Sequence, residues 1–200
     1  MHSRTLKGLA VACSILVASP LVFAHQIVYT ANLKGSIEAP PNASPATGFA
    51  RVTVDLDLDT MRIEADFQHL LGTTIASHIH AATPAPDSGT AGVATQVPFF
   101  TGFPLGVTSG TYDHVFNLST ASFYSPSFIS NTGGTVSGAR EYLLWSLDEG
   151  RAYLNIHTSL FSAGEIRGFF HRVPDTAPVL ALFAPMVVAL AGLRWATHRS

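Results

Sequence analysis

The sequence predicts an all-β fold: an antiparallel β-sandwich or Greek-key barrel with one short helix, plus apolar N- and C-terminal segments. Three observations predict it. Residues 52–67 alternate apolar and polar side chains with period two, the pattern of a hairpin with one buried and one wet face. Further short runs rich in Val, Ile, Thr and Phe are separated by turn residues, with 16 Gly and 12 Pro in the chain. Only one stretch carries helical spacing, and many short strands punctuated by turns make a sandwich or barrel.

Residues 1–24 read as an export signal. Arg4 and Lys7 give a positive start, residues 9–17 are apolar, and Val22-Phe23-Ala24 offers a cleavage site that would leave His25 as the new N-terminus. The single cysteine, Cys13, falls inside this apolar run, so the mature chain would have no thiol or disulfide.

Residues 25–172 make the predicted domain, long enough for one core. Residues 26–37 read as a first strand, stopped by Pro40-Pro41. In the hairpin, Val52, Val54, Leu56 and Leu58 face one way, followed by Met61, Ile63, Ala65 and Phe67. Asp55, Asp57, Asp59, Arg62, Glu64 and Asp66 then form the solvated face. Residues 75–81 and 111–118 are further strands, with Gly- and Pro-rich loops over 83–110 between them. Residues 138–150 carry the helical spacing, with Ala139, Tyr142, Leu143, Ser146 and Leu147 on one side. Two strands, 152–158 and 165–171, close the domain.

The last segment, 173–200, has Val173-Pro174-Asp175-Thr176-Ala177, an apolar run over 179–193, then Arg194 and Arg199. The run is short for a spanning helix, and the trailing Arg residues suit a cytoplasmic flank. This layout resembles the bacterial PEP-CTERM type of sorting signal, in its VPDSG variant. The resemblance implies an exosortase-like sorting enzyme as partner beside the export machinery, and contact with the membrane through the tail. The expected location is the cell envelope or the exterior.

Charge narrows the function. Lys and Arg total 11 against 13 Asp and Glu, and residues 25–172 hold 12 acids against 7 bases. Such a domain lacks the basic stripe that a nucleic-acid binder needs. No nucleophile elbow, phosphate loop or dinucleotide fingerprint is present, so no catalytic residue is assigned.

Nine histidines remain to be placed. His78 and His80 stand two apart in a strand, so both rings leave the same face. Zinc and copper accept such neutral imidazoles, and His157 in a late strand would supply a third ligand if the strands meet. Spacing alone favours an ordinary hydrogen-bonded polar network. The candidate metal ligands are therefore His78, His80 and His157, with copper or zinc as the candidate cofactor. His69 and His114 are further histidines able to complete a site. Glu165 and Arg167 share a face, and a carboxylate–guanidinium contact there would fix a neighbouring strand.

Ala76-Ser77-His78-Ile79-His80, then Tyr153-Leu154-Asn155-Ile156-His157-Thr158, then Gly164-Glu165-Ile166-Arg167-Gly168 together resemble the CHRD domain. Ser77 departs from its usual A-H-I-H block. The resemblance implies a β-sandwich used in extracellular binding and assembly, with Asn155, Glu165 and Arg167 as structural motif residues. An exopolysaccharide or another protein is then the expected ligand. The same three histidines are also similar in placement to those of Cu/Zn superoxide dismutase. A bridging His, a zinc-site Asp and a Cys pair are lacking here.

Overall fold

A computed structural model of the chain describes residues 25–174. The strands are β1 (Gln26–Lys34), β2 (Thr47–Asp55), β3 (Thr60–Gln68), β4 (Thr74–His80), β5 (Gly110–Asn117), β6 (Tyr153–Thr158), β7 (Ile166–Phe169) and β8 (His171–Arg172). The helices are α1 (Pro126–Asn131) and α2 (Val136–Asp148). All eight strands lie in one antiparallel sheet of order β4-β6-β7-β1-β2-β3-β5, with β8 on β1. The sheet curls into a half-barrel, so the all-β antiparallel expectation holds.

The predicted hairpin is β2 and β3, in register from Thr47↔Gln68 to Asp55↔Thr60. Val52, Val54, Met61, Ile63, Ala65 and Phe67 are buried as their alternation demands. The alternation stops at Asp55, which corrects the sequence reading. The Asp55 Oδ1 accepts from the backbone N–H of Asp57 (3.1 Å) and Leu58 (2.9 Å). An Asp that bonds its own chain two residues on makes a turn, not a strand. Asp55 is thereby buried, while Leu56 and Leu58 lie at the exposed tip.

Thr135 caps α2 by accepting from the Gly138 N–H. Ala139, Leu143, Ser146 and Leu147 face the core as predicted; Tyr142 instead lies half-exposed against Trp145 and Phe128. The helix ends where Gly150 takes φ +65°, with Arg151 N–H bonding Ser146 C=O and Gly150 N–H bonding Leu147 C=O. This places Ala152 and β6 back against the sheet. One apolar cluster joins the inner faces of β1, β2, β3 and β5 to Phe123, Phe128 and α2.

β4 is an edge strand, but its outer edge is occupied. Ala94 N–H bonds Ile79 C=O, Ile79 N–H bonds Thr95 Oγ1, and Thr74 N–H bonds Val107 C=O. The 83–110 loops therefore shield this edge and fold over one face of β4. No helix among the described residues is long and apolar enough to cross a membrane. The predicted signal, the apolar tail and Asp175–Ala177 of the sorting motif lie outside the described residues. Of that motif, Val173 donates its N–H to Val28 C=O, and Pro174 ends the described chain.

Candidate metal centre

Strand period and register together build the site. β4 pairs with β6 as Ala76↔His157, His78↔Asn155 and His80↔Tyr153; β6 pairs with β7 as Asn155↔Arg167 and Tyr153↔Phe169. Directly opposed residues share a face, so one side of this half of the sheet carries three histidines, an Asn, a Tyr, an Arg and a Phe. The alternate residues Ile79, Leu154, Ile156 and Ile166 enter the main core. Tyr153 and Phe169 are buried but stand outside that core, in a second layer beneath the loops.

The three rings converge. Centroid separations are 5.8 Å for His78–His80, 5.2 Å for His78–His157 and 5.7 Å for His80–His157. One ring nitrogen from each lies within 4.8 Å of the other two. His78 and His80 are buried, and His157 is half-buried with its Nε2 withdrawn from solvent.

The other ring nitrogens set the tautomers. His78 Nε2 lies 2.6 Å from the Pro98 carbonyl, His80 Nδ1 3.0 Å from that of Ala91, and His157 Nδ1 3.0 Å from that of Ser162. A carbonyl only accepts, so each of these nitrogens carries the hydrogen. The lone pairs therefore sit on His78 Nδ1, His80 Nε2 and His157 Nε2, and all three are buried without a hydrogen-bond partner. Leaving a buried acceptor unpaired costs about 1–3 kcal/mol.

Burial pushes His78 down to about 4, with the Pro98 carbonyl opposing and His157 adding to the fall. It pushes His80 to about 4 against the opposing Ala91 carbonyl, and lowers His157 against that of Ser162. All three rings are neutral at pH 7, the state in which imidazole binds a metal. Bonds of about 2.0–2.1 Å to one ion put ligand nitrogens about 3.3–3.6 Å apart, so a gap of 4.8 Å would close by about 1.2–1.5 Å. The donor set fits zinc or copper. Outer carbonyls holding each ring's far N–H are the usual support of metal-bound histidine. Among the described residues no other His, Cys, Asp or Glu joins the cluster.

The profile of the CHRD domain matches residues 29–170. The chain belongs to the CHRD domain family. No curated protein and no solved structure matches it. The matched span runs from β1 to the end of β7 and contains every residue of the CHRD domain's second layer.

Within this CHRD domain the other motif residues are buried and hydrogen-bonded, though not through the Glu165–Arg167 contact the sequence suggests. Glu165 and Arg167 are buried and have separate partners. Glu165 accepts from Ser44 Oγ, Leu71 N–H, Gly72 N–H and Thr158 Oγ1. Burial works against its ionisation, but these bonds prevail and hold its pKa below the ordinary range. It ties three chain segments together. Arg167 donates to Ile37 C=O (2.6 Å) and Gly89 C=O (2.9 Å), and its guanidinium lies 4.8 Å from the Tyr153 ring centre. Neither faces solvent: the loops cover a face that polarity alone marks as exposed. Asn155, opposite His78 and two residues before His157 on β6, donates to Ala163 C=O (3.3 Å).

His69 and His114 stand apart from the cluster, the first exposed and the second packed against Tyr112 and Phe116. His25 pairs with Asp57 at the surface. Two residues escaped the sequence reading. Tyr153 stacks on His80 at 4.8 Å with planes 2° apart, and period two from Asn155 and His157 was the signal for it. Glu38, buried 3.8 Å from Arg167 Nε, had no signal at all. Burial raises its carboxyl to about 7, against the pull of Arg167 and the Ala39 N–H.

Proposed function

We propose that this CHRD protein is an exported, envelope-associated binding module that holds one copper or zinc ion through His78, His80 and His157. One observation carries the reading: three rings converge with ligand atoms within 4.8 Å, and each keeps one buried nitrogen without a partner while its other nitrogen is satisfied. A hydrogen-bonded polar network, the simpler expectation from spacing, would leave those nitrogens paired. The bound ion would satisfy all three and lock β4 to β6 beneath the loops.

Export rests on the charged, apolar and small-residue order of residues 1–24. Sorting by an exosortase-like enzyme, with the membrane met through the tail, rests on Val173-Pro174-Asp175-Thr176-Ala177 and the apolar run behind it. Family membership supports display outside the cell, where an exopolysaccharide or a protein is the macromolecular ligand.

The test is metal content and metal-dependent melting of the full chain beside a His78→Ala/His80→Ala/His157→Ala variant. The expected result is near-stoichiometric copper or zinc that raises Tm and is absent from the variant. A chain that takes up neither ion, and melts alike with and without them, would overturn the metal reading and leave a binding module alone.

A further inference from the structure

We infer that the three-histidine centre selects monovalent copper over a divalent ion, an inference that rests on reading the cluster as a metal site. Charge is the first ground. Three imidazoles bring no negative charge, and among the described residues no carboxylate or thiolate joins them. A buried charge beside the cluster has the wrong sign for a dication. The ring of Tyr153 stacks on His80 and also carries the Arg167 guanidinium, 4.8 Å from its centre. Neither buried glutamate joins the cluster: Glu38 is turned to Arg167, and Glu165 is held by Ser44, Leu71, Gly72 and Thr158.

The cost of taking an ion out of water grows with the square of its charge. A dication in this pocket would meet neutral ligands and a neighbouring cation, so it would need an anion such as hydroxide to come with it. A singly charged ion carries far less of that cost.

Coordination is the second ground. Zinc is almost always four-coordinate, and with only three protein donors it must keep a water or hydroxide in its fourth position. Here the protein offers three donors, and the ligand atoms are as much as 4.8 Å apart, wider than a tetrahedral set. A three-coordinate, planar arrangement suits filled-shell monovalent copper and needs the least closure. His78 and His80 are over nine-tenths buried, which leaves the half-buried His157 side as the way in.

A charge placed beside the site tests this. Ala76 lies directly opposite His157 and two residues before His78, so its side chain shares their face, and it is partly exposed. The full chain and its Ala76→Asp and Ala76→Asn variants are titrated without oxygen. Monovalent copper is measured against bicinchoninate, and zinc against a chromophoric zinc chelator. The wild type should hold monovalent copper at least about tenfold more tightly than zinc. Ala76→Asp should move that ratio about tenfold or more towards zinc, because the added carboxylate attracts a dication twice as strongly. Ala76→Asn should leave it unchanged.

Zinc bound more tightly than monovalent copper by the wild type overturns the selectivity while leaving the metal site standing. Equal ratios in all three proteins overturn the charge argument. Absence of binding by either ion overturns the site itself.

Discussion

Replacing Glu38 by Gln should stabilise this protein above neutral pH, although it removes a carboxylate 3.8 Å from an arginine. Burial raises the Glu38 carboxyl from its ordinary 4.5 to about 7, and one of its oxygens has no partner. A folded-state pKa above the unfolded one means stability that is complete below pH 4.5 and is lost as pH rises through 7. Every tenfold difference in proton affinity between the folded and unfolded chain is worth about 1.4 kcal/mol, so ionised Glu38 costs the fold about 3 kcal/mol by pH 8. Gln has the shape of the protonated acid and cannot ionise. The two proteins should match near pH 4 and diverge steadily, with Glu38→Gln about 3 kcal/mol more stable at pH 8. Urea denaturation across that range measures this directly. Parallel pH profiles, or a variant less stable at pH 8, would refute the claim that desolvation outweighs Arg167 at Glu38.

Two further outcomes follow from the same geometry and a third from the sequence. Glu165→Ala should cost about 3–5 kcal/mol, since it strands two backbone N–H groups and two hydroxyls, and Glu165→Gln roughly half of that; the urea midpoint reads both, and a loss under about 1 kcal/mol for Glu165→Ala would contradict the role given to it. Gly164 has φ +130°, and a Cβ there would collide with Asn155 Oδ1 and sit 2.7 Å from Glu38 Oε1. Gly164→Ala should therefore lower Tm sharply, by about 3 kcal/mol of stability or more, and an unchanged Tm would mean the 159–164 turn is free to relax. For export, N-terminal sequencing of the chain expressed in a bacterial host should begin at His25, and an intact Met1 on cytoplasmic protein would contradict the signal.

What the sequence disclosed was whatever strand period governs. Alternation located β2 and β3, and the spacing of two placed His78 and His80 on one face. It failed where one residue's local chemistry overrides the pattern. Asp55 closes a turn through its own side chain, and Leu56 and Leu58 lose their place in the core. The meeting of β4 with β6 depends on contacts between residues far apart in sequence, such as the Ser77 Oγ bond to the Asn155 carbonyl across 78 residues, which no local pattern encodes. The burial of Glu165 and Arg167 was hidden for a related reason. Their cover comes from irregular loops around Ile37, Leu71 and Gly89, and loops carry no periodicity. Charged residues therefore read as solvent-facing when they fasten those loops down.

The central claim is that all three rings bind one ion. X-ray absorption fine structure of the copper- or zinc-loaded full chain tests it most directly. Three imidazole scatterers at about 2.0 Å are expected, falling to two in each of His78→Ala, His80→Ala and His157→Ala. A first shell of mainly oxygen, or an imidazole count untouched by those substitutions, would contradict it.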